Sequence, residues 1–210
     1  MVSAFFYGTL MHPKVLQRVI KHEGADLEIS PAVLLVCRSV KLPATSAELI
    51  SHIGAPQDYT RHKVKRAEYP GLIPYEQGRV LVDRDLEPEE RSVRGTLVTG
   101  LSERDIKLLD IFEGSEYVRK PIDVHPLSPL VKLAEYPIDE KALIPAKPPA
   151  LPAREELSVP VNAETYVYHH YKRLEPELWS FEEFVQKNAW KWYGEQPPND
   201  DVRWAEPVEV

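Results

Sequence analysis

Cysteine is almost missing from this chain. With Cys37 alone, neither an internal disulfide nor a multi-cysteine zinc site can form. Long hydrophobic runs are missing too. No apolar stretch approaches the ~18 to 20 residues that span a bilayer, so no membrane partner is expected. An excess of positive charge is also absent. Lysine and arginine total 26 against 33 aspartates and glutamates, a net charge of −7 over 210 residues. Phosphate backbones call for clustered positive charge, so nucleic acid is not an expected partner either. The N-terminus has no positive flank before its apolar run and no small-residue cleavage site, which predicts no secretory signal and a cytoplasmic setting.

Proline, by contrast, is abundant: 20 of 210 residues, roughly twice the usual ~5%. Eight of the prolines lie between Pro126 and Pro160. Neither a long helix nor a central strand tolerates that density, so the stretch reads as an extended surface loop or a partly disordered insert.

The rest of the chain alternates short strands and amphipathic helices. Ser3 to Tyr7 is a short apolar strand ending at Gly8. Pro13 opens a helix with Val15, Leu16, Val19 and Ile20 on one face, and Gly24 can close it. Residues 31 to 36 read as a second strand. The basic run Arg61, His62, Lys63, Lys65, Arg66 invites a phosphate reading, but the overall acidity favours a solvated strand edge, leading to Tyr69-Pro70-Gly71. Val93 to Leu101 alternates as a half-buried strand. Ser102 then caps a helix, with Asp105 completing a capping-box variant and Leu101 and Ile106 forming a hydrophobic staple. Ile106, Leu109 and Phe112 form its apolar stripe, and Gly114 stops it. Strands are predicted over Tyr117 to His125 and Ala163 to Tyr171. Ser180 and Glu183 mark a last helix, stapled by Trp179 and Phe184 and ended by Gly194. Trp179, Trp190, Trp192 and Tyr193 read as a packing stripe. Five or six strands and three helices, not in strict alternation, argue for an α+β fold with a mostly β core.

Two places can carry chemistry. In Phe6-Tyr7-Gly8-Thr9-Leu10, a strand ends in a glycine and a small hydroxyl residue follows. Consecutive backbone N–H groups exposed there can hold an anion or a developing oxyanion, although Gly8 could simply make a turn. In Leu109-Asp110-Ile111-Phe112-Glu113-Gly114, followed by Tyr117-Val118-Arg119, Glu113 ends an apolar helical stripe. Desolvation there would raise its pKa, as acid–base work near neutral pH requires. The plainer alternative is an exposed carboxylate at the unfavourable end of the helix dipole. Other candidates are weaker. His169 and His170 are adjacent, so on a strand they would point to opposite faces and no metal site is expected. Asp110 and Glu113 share one helix face, which is a poor arrangement for a glycosidase pair.

Tyr7-Gly8-Thr9-Leu10, Val93-Arg94-Gly95-Thr96-Leu97, Leu109 to Gly114 and Tyr117-Val118-Arg119, in this order, resemble the gamma-glutamylcyclotransferase-like superfamily. The nearest branch is the plant and fungal one first named for avirulence-induced genes. The resemblance covers roughly residues 3–35, 58–125 and 162–194. It implies a compact mixed β-barrel with about three helices packed outside and a side cavity. It further implies that Tyr7, Gly8, Thr9 and Leu10 line that cavity and bind the gamma-glutamyl part of a small-molecule substrate. Glu113 corresponds to the family's acid–base glutamate and Tyr117 to an aromatic that closes the pocket. Arg119 matches a common arginine to which no role is assigned. The implied reaction is intramolecular aminolysis, releasing 5-oxoproline and a free amine or amino acid without metal or cofactor. A non-catalytic binding module on the same barrel is the alternative.

The expected organisation is a single domain over 1–194 with a tail from 195 to 210. Residues 36–57 depart from the resemblance: joining Leu35 to Asp58 would restore its pattern. The stretch is 22 residues long, a whole number of codons; every valine codon begins with GT, and one glutamine codon ends in AG. These features raise the expectation of a short intron translated in frame. The alternative is a genuine insertion with a small helix capped by Ser46.

Overall fold

The computed structural model describes residues 1–35, 58–136 and 149–193. The 36–57 stretch, with the read-through expectation attached to it, lies outside the described residues. So do residues 137–148 and everything from Gly194 onward.

The chain runs β1 (Val2–Phe6), α1 (Pro13–Ile20), β2 (Glu28–Leu34), β3 (Tyr59–Val64), β4 (Pro70–Pro74), α2 (Tyr75–Val82), β5 (Val93–Leu101) and α3 (Glu103–Glu113). It continues with β6 (Tyr117–Pro126), β7 (Val131–Lys132), β8 (Val161–Tyr168), β9 (Leu174–Leu178), α4 (Phe181–Lys187) and the one-turn α5 (Trp190–Tyr193). The fold is mixed α+β. The larger sheet has the order β5-β1-β8-β6-β2-β7, and β2 also pairs with β5. The pairings therefore return on themselves through β5, β1, β8, β6 and β2. The β1–β8 pair is parallel and the others in the circuit are antiparallel. A three-stranded sheet, β4-β3-β9, lies beside it.

Alternation along the strands sorts the core into two layers. Phe5, Leu34, Leu97, Val124 and Val167 form one cluster, joined by Leu72 of β4. Ala4, Phe6, Ile29, Val98 and Leu101 point the other way, onto Val15, Leu16, Val19 and Ile20 of α1 and Ile106 and Leu109 of α3. Each large apolar side chain fully buried contributes about 1.5–3 kcal/mol, so both layers are needed to hold β1 between them.

Several local expectations hold. Pro13 opens α1, with His12 as its N-cap. Ser102 accepts from the Asp105 amide, and the capping box is complete. Gly114 caps α3, and Ser180 caps α4 with Trp179 against Phe184 at 5.7 Å between ring centroids.

Other expectations are corrected. α1 stops at Lys21, which itself takes the left-handed conformation, before Gly24 is reached. Glu183 does not complete the second capping box; its carboxylate reaches out to Lys63 and Lys187. The last helix breaks at Asn188 into α4 and α5. Trp179 and Trp192 pack around Phe184, as the stripe predicts for those two. β5 is covered on both faces at its centre, because Thr96 and Val98 are buried as well as Leu97. The basic run is no sheet edge: β3 is the middle strand of its sheet, and Thr60, His62 and Val64 are buried. The proline-rich stretch does not all lie on the surface either. β6 extends to Pro126, β7 pairs with β2, and Leu133 is fully buried in the core under α1. His169 and His170 follow the end of β8, so they do not point to opposite faces; their rings lie 4.0 Å apart. Among the described residues, no helix is long and apolar enough to cross a membrane.

Candidate active site

β1 carries Tyr7 and Gly8 out of the sheet at its C-terminal end. The chain then tightens into one 3-10 turn, Thr9–Met11, before Pro13 starts α1. Gly8 is required by close approach rather than by dihedral freedom: its φ is −124°, but a Cβ there would lie 2.9 Å from the Pro70 ring. Met11 donates back to the Gly8 carbonyl at 3.0 Å. The amides of Gly8, Thr9 and Leu10 themselves find no acceptor among the described residues. Thr9 and Leu10 are nonetheless buried. Backbone N–H groups in such a setting are normally satisfied, so this loop is short of an acceptor.

The loop forms one wall of a pocket. The other walls are Phe5, Phe6, Tyr69, Pro70, Glu113, Tyr117 and Tyr166. α3 delivers Glu113 from its last turn, and the one-turn 3-10 segment Gly114–Glu116 redirects the chain so that Tyr117 begins β6 on the same side.

Two tyrosines are fixed as walls by their hydroxyls. Tyr7 donates to the Tyr166 carbonyl at 2.5 Å, and Tyr117 donates to the Pro70 carbonyl at 2.7 Å. Both stay neutral at physiological pH. Burial, reinforced for Tyr7 by the Glu113 charge and for Tyr117 by Tyr7, raises their pKa well above the usual phenol value. Glu113 is different. Its carboxyl makes no hydrogen bond or ion pair with any described residue. Desolvation, and secondarily the charge of Asp110 one turn earlier, pushes its pKa up to about 8. Asp110 is engaged elsewhere: it accepts from the Tyr166 hydroxyl at 2.8 Å and pairs with Arg119 at 3.1 Å. Arg119 in turn pairs with Glu164. That network accounts for Arg119 structurally and removes Asp110 from consideration as half of a carboxylate pair.

All six sequence-predicted positions, Tyr7, Gly8, Thr9, Leu10, Glu113 and Tyr117, therefore line one pocket. Sequence reasoning missed Tyr69, Pro70 and Tyr166 as pocket walls, although it noted Tyr69-Pro70-Gly71 after the basic run. It also misread Arg61. This side chain lies behind the loop, donating from Nη1 to the Tyr7 carbonyl at 2.6 Å and to the Arg94 carbonyl at 3.1 Å.

The geometry offers a proton-exchanging carboxyl with a pKa near neutrality beside a row of free N–H donors. Such a site can activate an amine and stabilise an oxyanion in one place. The sequence matches the gamma-glutamyl cyclotransferase, AIG2-like family over residues 4–190, and the chain belongs to that family. Among solved structures it resembles two Arabidopsis thaliana proteins determined in solution. One is 16% identical, with 88% of this chain and 80% of that one covered and a TM-score of 0.46. The other is 18% identical, with 100% and 94% covered and a TM-score of 0.45. A yeast gamma-glutamyl cyclotransferase specific to glutathione is 11% identical, covering 80% of this chain and 68% of that one, with a TM-score of 0.42. No curated protein matches the sequence. The family assignment rests on the sequence match.

Proposed function

We propose that the protein is a gamma-glutamylcyclotransferase that converts a small gamma-glutamyl amide or dipeptide into 5-oxoproline and a free amine or amino acid. The observation that carries this reading is the meeting of Glu113, unpartnered and with its pKa pushed up to about 8, with the unsatisfied amides of Gly8, Thr9 and Leu10. In this reading the closed circuit of strands is the family's β-barrel, with the helices outside and the pocket at its side. Residues 1–194 form one cyclotransferase-like domain, and 36–57 remains a candidate read-through segment.

The chemistry follows from the groups present. Ionised Glu113 takes a proton from the substrate's α-ammonium. The freed amine attacks the substrate's own γ-carbonyl, and the carbonyl electron pair moves onto oxygen. The loop amides receive that oxyanion or the substrate carboxylate. Glu113 returns that proton to the leaving nitrogen and then takes the second proton from the attacking nitrogen, which became cationic when the bond formed. Collapse of the tetrahedral intermediate re-forms the carbonyl, breaks the bond to the leaving nitrogen and leaves the ring nitrogen as a neutral amide, and Glu113 passes its last proton to the released amine. One carboxyl thus serves as base and then acid, and no proton is gained or lost overall. The aromatic walls hold the substrate chain folded, which converts ring closure into a near-attack arrangement.

The test is release of 5-oxoproline from a panel of gamma-glutamyl amines and gamma-glutamyl dipeptides. Turnover of at least one is expected. No release from any of them by folded protein would overturn the reading in favour of a binding module on the same fold.

A further inference from the structure

The pocket has a carboxyl but no cation in its walls. A gamma-glutamyl substrate brings a full negative charge on its α-carboxylate, and a buried charge needs a counter-charge. A half-buried guanidinium, that of Arg61, lies behind the loop against the Tyr7 carbonyl. No carboxylate of the described residues pairs with it. Its guanidinium is held by the carbonyls of Tyr7 and Arg94, by Met11 Sδ at 3.7 Å and by the face of Trp179, 4.9 Å from the ring centroid. Other described arginines near the site differ: Arg119 and Arg173 both have carboxylate partners. A guanidinium desolvated without an anion is costly to the fold, and such a cost is expected where a ligand supplies the anion. Burial lowers its pKa to about 10, which still leaves it charged at neutral pH.

The contact to Tyr7 couples Arg61 to the loop. The Tyr7 carbonyl belongs to the same peptide unit as the Gly8 amide. A cation on that oxygen withdraws electron density and makes the N–H a stronger donor toward the pocket. We propose that Arg61 is a positioning residue that, through the Tyr7–Gly8 peptide, turns the Gly8–Leu10 amides into a receptor for the α-carboxylate of the substrate. The proposal rests on the cyclotransferase reading and adds to it the source of the positive charge.

The test compares 5-oxoproline with its carboxamide, the same ring without the charge, binding to the full chain in isothermal titration. Wild type should prefer the carboxylate by about tenfold or more, the scale of a charged hydrogen bond. Arg61→Gln should bring that preference close to one, while Arg61→Lys, which keeps the charge, should retain most of it. Arg61→Met, which can still pack on Trp179, serves if the Gln variant does not fold, and its preference should collapse in the same way. A merely structural role would weaken both ligands equally and leave their ratio intact, and that outcome overturns the role of Arg61 alone. A wild type that binds neither ligand overturns the cyclotransferase reading and this proposal together.

Discussion

The two ends of α3 each draw a carboxylate into the protein, and the two meet opposite treatment. At the N-terminal end, Asp105 is 3% exposed. Burial works to raise its pKa, but the Ser102 amide and hydroxyl donate to it at 2.8 Å each, and His22 Nε2 lies 3.0 Å away. Together they hold it below the ordinary carboxylate value. At the C-terminal end, Glu113 receives no donor from the described residues, and desolvation with the Asp110 charge pushes it up to about 8. The helix dipole adds to the contrast, favouring an anion at the first end and opposing it at the second. A carboxylate whose hydrogen bonds are complete fixes a helix. One that lacks them exchanges protons near neutral pH.

The largest expected effect breaks that contrast at its reactive end. Glu113→Gln keeps the shape and removes the exchangeable proton, so cyclisation should fall by about 10²–10⁴-fold with the fold intact. Retention of more than a few per cent of the wild-type rate on a good substrate would remove Glu113 from the mechanism. The same variant gives a second, equilibrium readout. The folded-state pKa of Glu113 lies above its unfolded value near 4.5, so the folded state binds this proton more tightly. The resulting stability is fully present below pH 4.5 and is lost as pH rises toward 8. Between those limits wild type should lose about 2–4 kcal/mol relative to Glu113→Gln, the full shift being reduced because part of the side chain is exposed. Urea unfolding of both proteins at pH 5 and pH 8 measures this, and parallel slopes would show that the carboxyl is not desolvated.

At the structural end the expectation reverses. Asp105→Ala loses the capping box and leaves Ser102 and His22 without their acceptor, which should cost about 1–2 kcal/mol. Turnover per folded molecule should stay within severalfold of wild type. A hundredfold fall in kcat without unfolding would show that the two ends are not separable.

This contrast also marks what could be read from the sequence. The Ser102–Asp105 cap was legible because its groups lie three residues apart, and Glu113 stood out as a carboxylate at the end of an apolar stripe. The pocket loop was legible through a motif, Tyr7 to Leu10. Two of the strands that were missed carry proline: β4 has Pro70 and Pro74 at its ends, and β9 has Pro176 in its middle. Both lie on the edges of the small sheet, where the unpaired side of a strand tolerates a missing N–H. α2 was hidden by the internal Gly78. There a Cβ would lie 2.2 Å from Thr60 Oγ1, so the glycine lets the helix approach β3 at the expense of helix propensity. Arg61 was misread for a different reason. Its place depends on Tyr7, 54 residues earlier in the chain, and local charge counting carries no trace of such a pairing.

The smallest effect sharpens the account of why Glu113 titrates near neutrality. Desolvation is the larger cause and the Asp110 charge the smaller. Asp110→Asn removes only the second. The amide oxygen can still accept from Tyr166, and Arg119 keeps Glu164 as a partner, so the local frame should survive. With one fewer negative charge nearby, ionised Glu113 is easier to form and its pKa falls below 8. The ionised form is the base that starts the reaction. The rising limb of kcat/KM against pH should therefore move toward acid, by less than about one pH unit because desolvation is untouched. An unmoved limb would assign the whole shift to burial. A limb moved toward alkali would mean that the variant had buried Glu113 further, and crystallography of Asp110→Asn would then show the pocket closed around it.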